Sequence, residues 1–174
     1  LKKFIDNGAN IICAVRKIDP EFKKYIKINL KNLKNNVKIL EFDLSDESKM
    51  SEAIQSLYKD KITLDILVNN AGVAGGSILE MTSMKDLKKI FEINFFSQIR
   101  LTQLLLRLLK KSNKASIINI GSISGINGDR GNITYGSSKA ALMFATKVMA
   151  NELSTYNIRV NSVAPSATDT DMLN

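Results

Sequence analysis

The sequence predicts an α/β fold, a doubly wound parallel sheet, and three observations carry the prediction. Short apolar runs alternate with longer polar or amphipathic stretches, the pattern of repeated strand–helix–strand units. The runs are apolar rather than strictly alternating, as strands are when helices cover both faces of a parallel sheet. Clusters of small and polar residues follow directly after the runs, at Asn69-Asn70-Ala71-Gly72, at Gly121-Ser122 and at Ala164-Pro165. That puts the candidate functional residues at the carboxyl ends of strands, where sheets of this class bind ligands.

The elements follow in order. Residues 1–6 read as the tail of a helix ended by Gly8. Residues 10–15 read as a buried strand, and 21 to about 33 as a polar, lysine-rich helix. The next strand is 37–42, after which Ser45 or Asp46 can cap a helix reaching to about residue 58. Residues 64–68 form a short apolar strand, and a loop rich in glycine and alanine leads into a long helix from about 84 to 110. Strand 115–120 is followed by a glycine-bearing loop, a helix from about 134 to 155 and a last strand, 158–163. No linker or repeat interrupts this series. The 174 residues, 44% of them hydrophobic, therefore read as one domain with its own core.

Composition narrows the chemistry. No stretch approaches the roughly 20 uninterrupted apolar residues that a membrane-spanning helix needs. The most apolar segment, 101–109, is broken by Gln103 and Arg107. A lone cysteine, Cys13, forms no internal disulfide, suits a reducing cytoplasmic setting and reads as a buried structural thiol. With no histidine and one cysteine, a histidine-based nucleophile pair and a zinc centre are both excluded, and no metal is expected. The formal charge of +8 favours anionic partners such as phosphorylated cofactors or acidic carrier proteins. Lysines such as Lys23, Lys24, Lys27, Lys31 and Lys34 lack interleaved aromatic residues, so they read as a solvated surface rather than a nucleic-acid groove.

Acid–base chemistry without histidine is available from Tyr135-Gly136-Ser137-Ser138-Lys139. On a helix this spacing puts Tyr135 and Lys139 on one face, one turn apart, and the ammonium favours the phenolate. Ser122, in Gly121-Ser122-Ile123-Ser124-Gly125, can hold a substrate oxygen while Tyr135 exchanges the proton. Such a pair alone is common on helix surfaces; its company gives it weight. Val68-Asn69-Asn70-Ala71-Gly72 follows one apolar run, Asn94 sits within a helix, and Asn161-Ser162-Val163-Ala164-Pro165 follows another run. With these landmarks in order, the chain resembles the short-chain dehydrogenase/reductase family over nearly its whole length.

The resemblance implies a Rossmann-type sheet and an NAD(P)-dependent oxidoreductase. It implies that Tyr135 is the proton donor, that Lys139 also hydrogen-bonds the nicotinamide ribose, and that Ser122 positions the substrate oxygen. It implies further that Asn94 anchors a water linking Lys139 to solvent. Asn70, Ala71 and Gly72 would lie against the adenosine ribose, where small residues let the backbone approach. Asp43 and Leu44 would read adenine, although Asp43 is equally readable as a helix cap. Arg16, followed by Lys17, favours a 2′-phosphate and hence NADP over NAD; as a plain solvated arginine it would say nothing. Pro165-Ser166 departs from the family, which has glycine after that proline. Past it, Thr168 would contact the carboxamide and Thr170 the phosphates.

Family members begin with a strand and a glycine-rich turn that nothing before Asn10 matches, and they extend beyond the equivalent of Asn174. The chain is therefore expected to be an internal fragment, incomplete in its sheet and inactive alone. The order of motifs most resembles 3-oxoacyl-[acyl-carrier-protein] reductases, which serve fatty acid biosynthesis. Where those enzymes dock the carrier through two arginines, this chain has Asn113 and Tyr156, with Lys110, Lys111 and Lys114 as substitutes. Reduction of a sugar, a steroid or another small alcohol's carbonyl fits the same catalytic set, and a catalytically silent dinucleotide-binding member is the remaining alternative. Helices 84–110 and 134–155 would pair with their copies in a homo-oligomer, because otherwise Phe96 or Phe144 would stay exposed.

Overall fold

The computed structural model describes residues 1–30 and 36–166, so Thr168, Thr170 and the far end of the helix expected over 21–33 lie outside the described residues. The chain forms two compact units, Leu1–Ser56 and Leu57 onward.

In the first unit, α1 (Lys2–Asp6) gives way to Gly8, whose φ of +75° is the left-handed conformation that glycine adopts without strain. β1 (Ile11–Val15) and β2 (Val37–Glu41) pair in parallel, Ile11 opposite Val37 through Val15 opposite Glu41. Between them, α2 (Pro20–Asn29) starts with a proline suited to the first helical position, and the Asp19 carboxylate accepts from the Glu21 amide at 3.0 Å. Of the two candidate caps for α3 (Glu47–Lys59), Asp46 is the one used, accepting from the Lys49 amide at 3.0 Å. Ile5, Ile26, Leu40, Phe42, Met50 and Ile54 are buried. Cys13 is only half-buried, which corrects the reading of a fully buried thiol; desolvation still raises its pKa. Lys23, Lys24 and Lys27 are exposed, as a solvated face should be.

In the second unit, β3 (Ile66–Asn69), β4 (Ser116–Ile120) and β5 (Arg159–Val163) form a three-stranded parallel sheet in that order. The register places Asn69 opposite Asn119 and Asn119 opposite Ser162. Parallel neighbours need long crossovers, and both here are helical. The first runs through α4 (Met84–Phe91), one π turn (Glu92–Phe96) and α5 (Ser97–Leu109); the second is α6 (Ile133–Leu153). Ser83 opens α4 with a reciprocal cap, accepting from the Asp86 amide at 3.0 Å and donating to its carboxylate at 2.6 Å. Leu105, Leu108, Leu109, Ala115, Ile117, Leu142 and Ile158 make the core. β3 departs from the expected double coverage. Leu67 and Asn69 are buried while Ile66 and Val68 are 45% and 38% exposed, because successive side chains alternate and only one face is covered.

Candidate active site

β4 delivers Gly121 and Ser122 to its carboxyl end. Ser122 is buried and extended, and its hydroxyl accepts from the Ser124 amide at 3.2 Å, capping a short 3-10 turn, Ile123–Gly125. Among the described residues no acceptor takes its hydroxyl proton, which is available to donate. That turn rests directly on the start of α6. A Cβ at Gly125 would come within 2.7 Å of the Ala140 nitrogen, and one at Gly136 within 2.6 Å of the Ser124 carbonyl oxygen. The two glycines thus fix how closely the Ser122 turn approaches the helix that carries Tyr135.

On α6, Lys139 is almost wholly buried and its Nζ donates to the Ile120 carbonyl at 2.7 Å. The same Nζ lies 5.8 Å from the centre of the Tyr135 ring, within cation–π range. Burial disfavours the ammonium and pushes the Lys139 pKa below its ordinary 10.5. The helix therefore holds a phenol and a desolvated amine on one face, as the spacing required.

Asn94 is fully buried in the π turn, a helical irregularity often found at functional sites. Its amide accepts from the Val73 nitrogen at 2.8 Å and donates at 3.0 Å to both the Val73 carbonyl and the Ser138 hydroxyl. Ser138 in turn donates to the Tyr135 carbonyl at 2.7 Å. With both amide protons engaged in protein contacts, a water-anchoring role would fall to the Asn94 backbone. Gly72 lies between these groups: a Cβ there would face Asn94 Oδ1 at 3.3 Å and Lys139 Nζ at 3.4 Å. Asn70 and Ala71 are exposed beside it. Asn94, Gly72, Tyr135 and Lys139 are thus gathered at one place, with the Ser122 turn packed on the same helix.

The first unit holds the other candidates. Asp43, just past the end of β2, does not cap a helix as one reading allowed. Its Oδ1 instead accepts from the Ser45 hydroxyl at 2.7 Å and the Ser45 amide at 2.9 Å, closing an Asx turn. These bonds hold its carboxyl below the ordinary carboxylate range, and the charges of Arg16 and Lys49 add to the effect. Arg16 is exposed, and Leu44 is half-buried.

Asn69 was legible in its motif, but several of the residues around it were not singled out from sequence. Asn69 donates to Thr102 Oγ1 at 3.0 Å and to Asn119 Oδ1 at 2.8 Å, and Asn119 donates to Thr146 Oγ1 at 2.8 Å. This buried polar line ties α5, β3, β4 and α6 together beneath the site. Gln98, Ser138, Gly125 and Gly136 complete the support, and the glycines of Ser124-Gly125 and Tyr135-Gly136 were the readable signal. A cavity of about 550 Å³ opens nearby, between Ser77–Leu79 and the loop from Ser124 to Ile133. It borders Ile133, Gly136, Ser137 and Ala140, the side of α6 turned away from Tyr135 and Lys139, and touches neither Ser122 nor Tyr135.

The family model described as short chain dehydrogenase matches residues 1–174. A 3-oxoacyl-[acyl-carrier-protein] reductase of Chlamydia muridarum is 30% identical over 98% of this chain and 68% of its own length. A cyclopentanol dehydrogenase of a Comamonas species is 36% identical over 76% of this chain and 53% of its own. The solved structure titled "ElxO with NADP Bound" superposes with a TM-score of 0.86 at 30% identity, covering 98% of this chain and 68% of that one. The chain thus spans between about half and two thirds of the length of the curated relatives it matches.

Proposed function

The chain belongs to the short-chain dehydrogenase family, and on that premise we propose that the full-length protein is an NADP-dependent oxidoreductase reducing a carbonyl to a secondary alcohol, with a 3-oxoacyl thioester as substrate. The observation that carries the reading is the buried Lys139 ammonium beside the Tyr135 ring, on the helix against which the Ser122 turn packs. The bound dinucleotide supplies the hydride. The Tyr135 phenol gives its proton to the substrate oxygen, and the Ser122 hydroxyl donates a hydrogen bond that holds that oxygen in place. Lys139 keeps a positive charge near the phenol as the proton leaves and reaches the ribose through its remaining N–H bonds.

The residues suit a dinucleotide. Gly72, with no side chain to crowd Asn94 and Lys139, leaves the Ala71–Val73 backbone open to approach by a ribose, and Arg16 offers a cation for a 2′-phosphate. Asp43 and Leu44 are the residues proposed to read the adenine, and the Ser45 bonds hold Asp43 in a fixed turn. The solved relative whose title names bound NADP supports the same choice. Thr168 and Thr170 remain proposed contacts to the carboxamide and phosphates. Tyr156 stands where the carrier-docking arginine was sought, and Lys110 Nζ lies 3.3 Å from its ring centre, so a cation is still presented there.

A second reading has its own support: the absent arginines at Asn113 and Tyr156, and the relative named as a cyclopentanol dehydrogenase, favour a small cyclic or sugar alcohol. We further propose a cytoplasmic homo-oligomer. Among the described residues no helix is long and apolar enough to cross a membrane.

The test is turnover of NADPH and NADH by the full-length protein with a 3-oxoacyl thioester and with cyclopentanone, wild type beside Tyr135→Phe. Thioester reduction with NADPH preferred, falling by about 10² to 10⁴ in the variant, supports the proposal. Turnover of cyclopentanone alone moves the substrate to the second reading. Failure to bind either dinucleotide overturns the function.

A further inference from the structure

Gln98 lies in the first turn of α5, directly after the π turn, and is 99% buried by the complement of its 1% exposure. Its Nε2 donates to the Ala71 carbonyl at 2.5 Å and sits 3.5 Å from the Ile93 carbonyl. Two carbonyls on one side require the amide nitrogen there, which fixes the orientation of the side chain. Its Oε1 is consequently turned to the other side, where it is buried with no hydrogen-bond partner among the described residues.

That arrangement works against stability. A buried acceptor without a partner is destabilising, and an apolar residue of the same length would fill the position at lower cost. What the amide does achieve is a bond to the backbone of an otherwise exposed residue, Ala71. The next residues of the same strip are held by Asn94, four positions earlier in the chain, through both backbone groups of Val73. Gln98 and Asn94 therefore grip the strip at its two ends, on either side of Gly72. The backbone carbonyl of Gln98 is itself held by Thr102 Oγ1 at 2.8 Å, and Thr102 by Asn69 at 3.0 Å, so the grip is anchored in the sheet.

We infer that Gln98 is a positioning residue for cofactor binding, holding the Ala71 carbonyl so that the Ala71–Gly72–Val73 backbone keeps the shape that receives the ribose. This rests on the dinucleotide reading above. A side chain that lowers stability while shaping a ligand-facing backbone is the usual mark of function outweighing folding.

The test titrates NADPH into the full-length protein by fluorescence, comparing wild type, Gln98→Met and Ser112→Ala, with melting temperatures measured without cofactor. Gln98→Met keeps the length and removes the donor. The expected result is a cofactor Kd raised about fivefold to tenfold, a matching rise in the KM for NADPH, kcat within about twofold, and a melting temperature equal to or above wild type. Ser112→Ala, which breaks the 2.6 Å bond to the Asp65 carboxylate at the start of β3, at the other end of that strand from the strip, should lower the melting temperature and leave Kd unchanged. An unchanged Kd in Gln98→Met, or a weaker Kd that merely accompanies a lower melting temperature, overturns the inference and leaves the function standing. If Gln98→Met does not fold, Gln98→Leu takes its place; failure of both to fold means that Gln98 stabilises the protein, which also overturns it. A wild type that binds no dinucleotide overturns the functional proposal itself, and this inference with it.

Discussion

Lys139 must be judged by what its burial does to its own charge. The amine is held against the Ile120 carbonyl at 2.7 Å, and desolvation lowers its pKa from 10.5. The folded state therefore binds fewer protons than the unfolded chain in the window just below 10.5, and stability from this group rises with pH across that window. The contribution is present above the unfolded pKa and lost as pH falls through the folded one. Lys139→Met removes the term, so the stability difference between wild type and variant should shift in favour of wild type as the pH rises toward 10.5. Urea unfolding at several pH values reads this directly, and parallel curves would count against a desolvated Lys139. The charge of this lysine and its place one turn from Tyr135 were legible from spacing. Its bond to Ile120 was not, because that acceptor is a backbone atom on β4.

The contact between the Ser122 turn and α6 decides whether the serine and the tyrosine can share one substrate oxygen. Gly136→Ala adds a methyl 2.6 Å from the Ser124 carbonyl oxygen, a backbone atom that cannot swing aside. Overpacking of this kind costs about 1–3 kcal/mol, and relief requires the turn to move away from the helix. The variant should lose stability by that amount and should lose kcat more than cofactor affinity, since Ser122 is displaced while Gly72 and Lys139 are untouched. Wild-type kcat in a Gly136→Ala protein would show that the close approach is not needed. At this scale the sequence revealed strands and helices because burial follows periodicity, and their ends fell within a few residues of the observed ones. The π turn stayed hidden: one extra residue per turn leaves a run such as Glu92-Ile93-Asn94-Phe95-Phe96 still reading as helix. Beyond Asn69, the polar line through Asn119, Thr102 and Thr146 was hidden for a different reason. Nothing along the chain marks which polar residues of these elements meet, and only the register of β3 with β4 pairs the two asparagines.

Phe96 and Phe144 are 53% and 68% exposed, and Val148, one turn beyond Phe144 on α6, is 39% exposed. The sequence foresaw this choice, because two helices with apolar residues around much of their surface cannot hide all of them against one sheet face. Isolated exposed apolar residues are ordinary, but an aromatic and an aliphatic neighbour on one helix stripe form a surface suited to a second copy. Two-fold association would bury two Phe144 rings per dimer, one from each protomer. At about 2 kcal/mol for each ring, the pair contributes about 4 kcal/mol, or about a thousandfold in the dimer Kd. Phe144→Glu in the full-length protein removes that term and sets two carboxylates near each other across the axis. Sedimentation should then show dissociation at micromolar concentration, with circular dichroism unchanged because Phe144 is mostly exposed in its own protomer. If the wild type sediments as a monomer, or if the variant remains assembled, the α6 stripe is not the contact between copies, and the aromatic surface must serve some other partner of the same helix face.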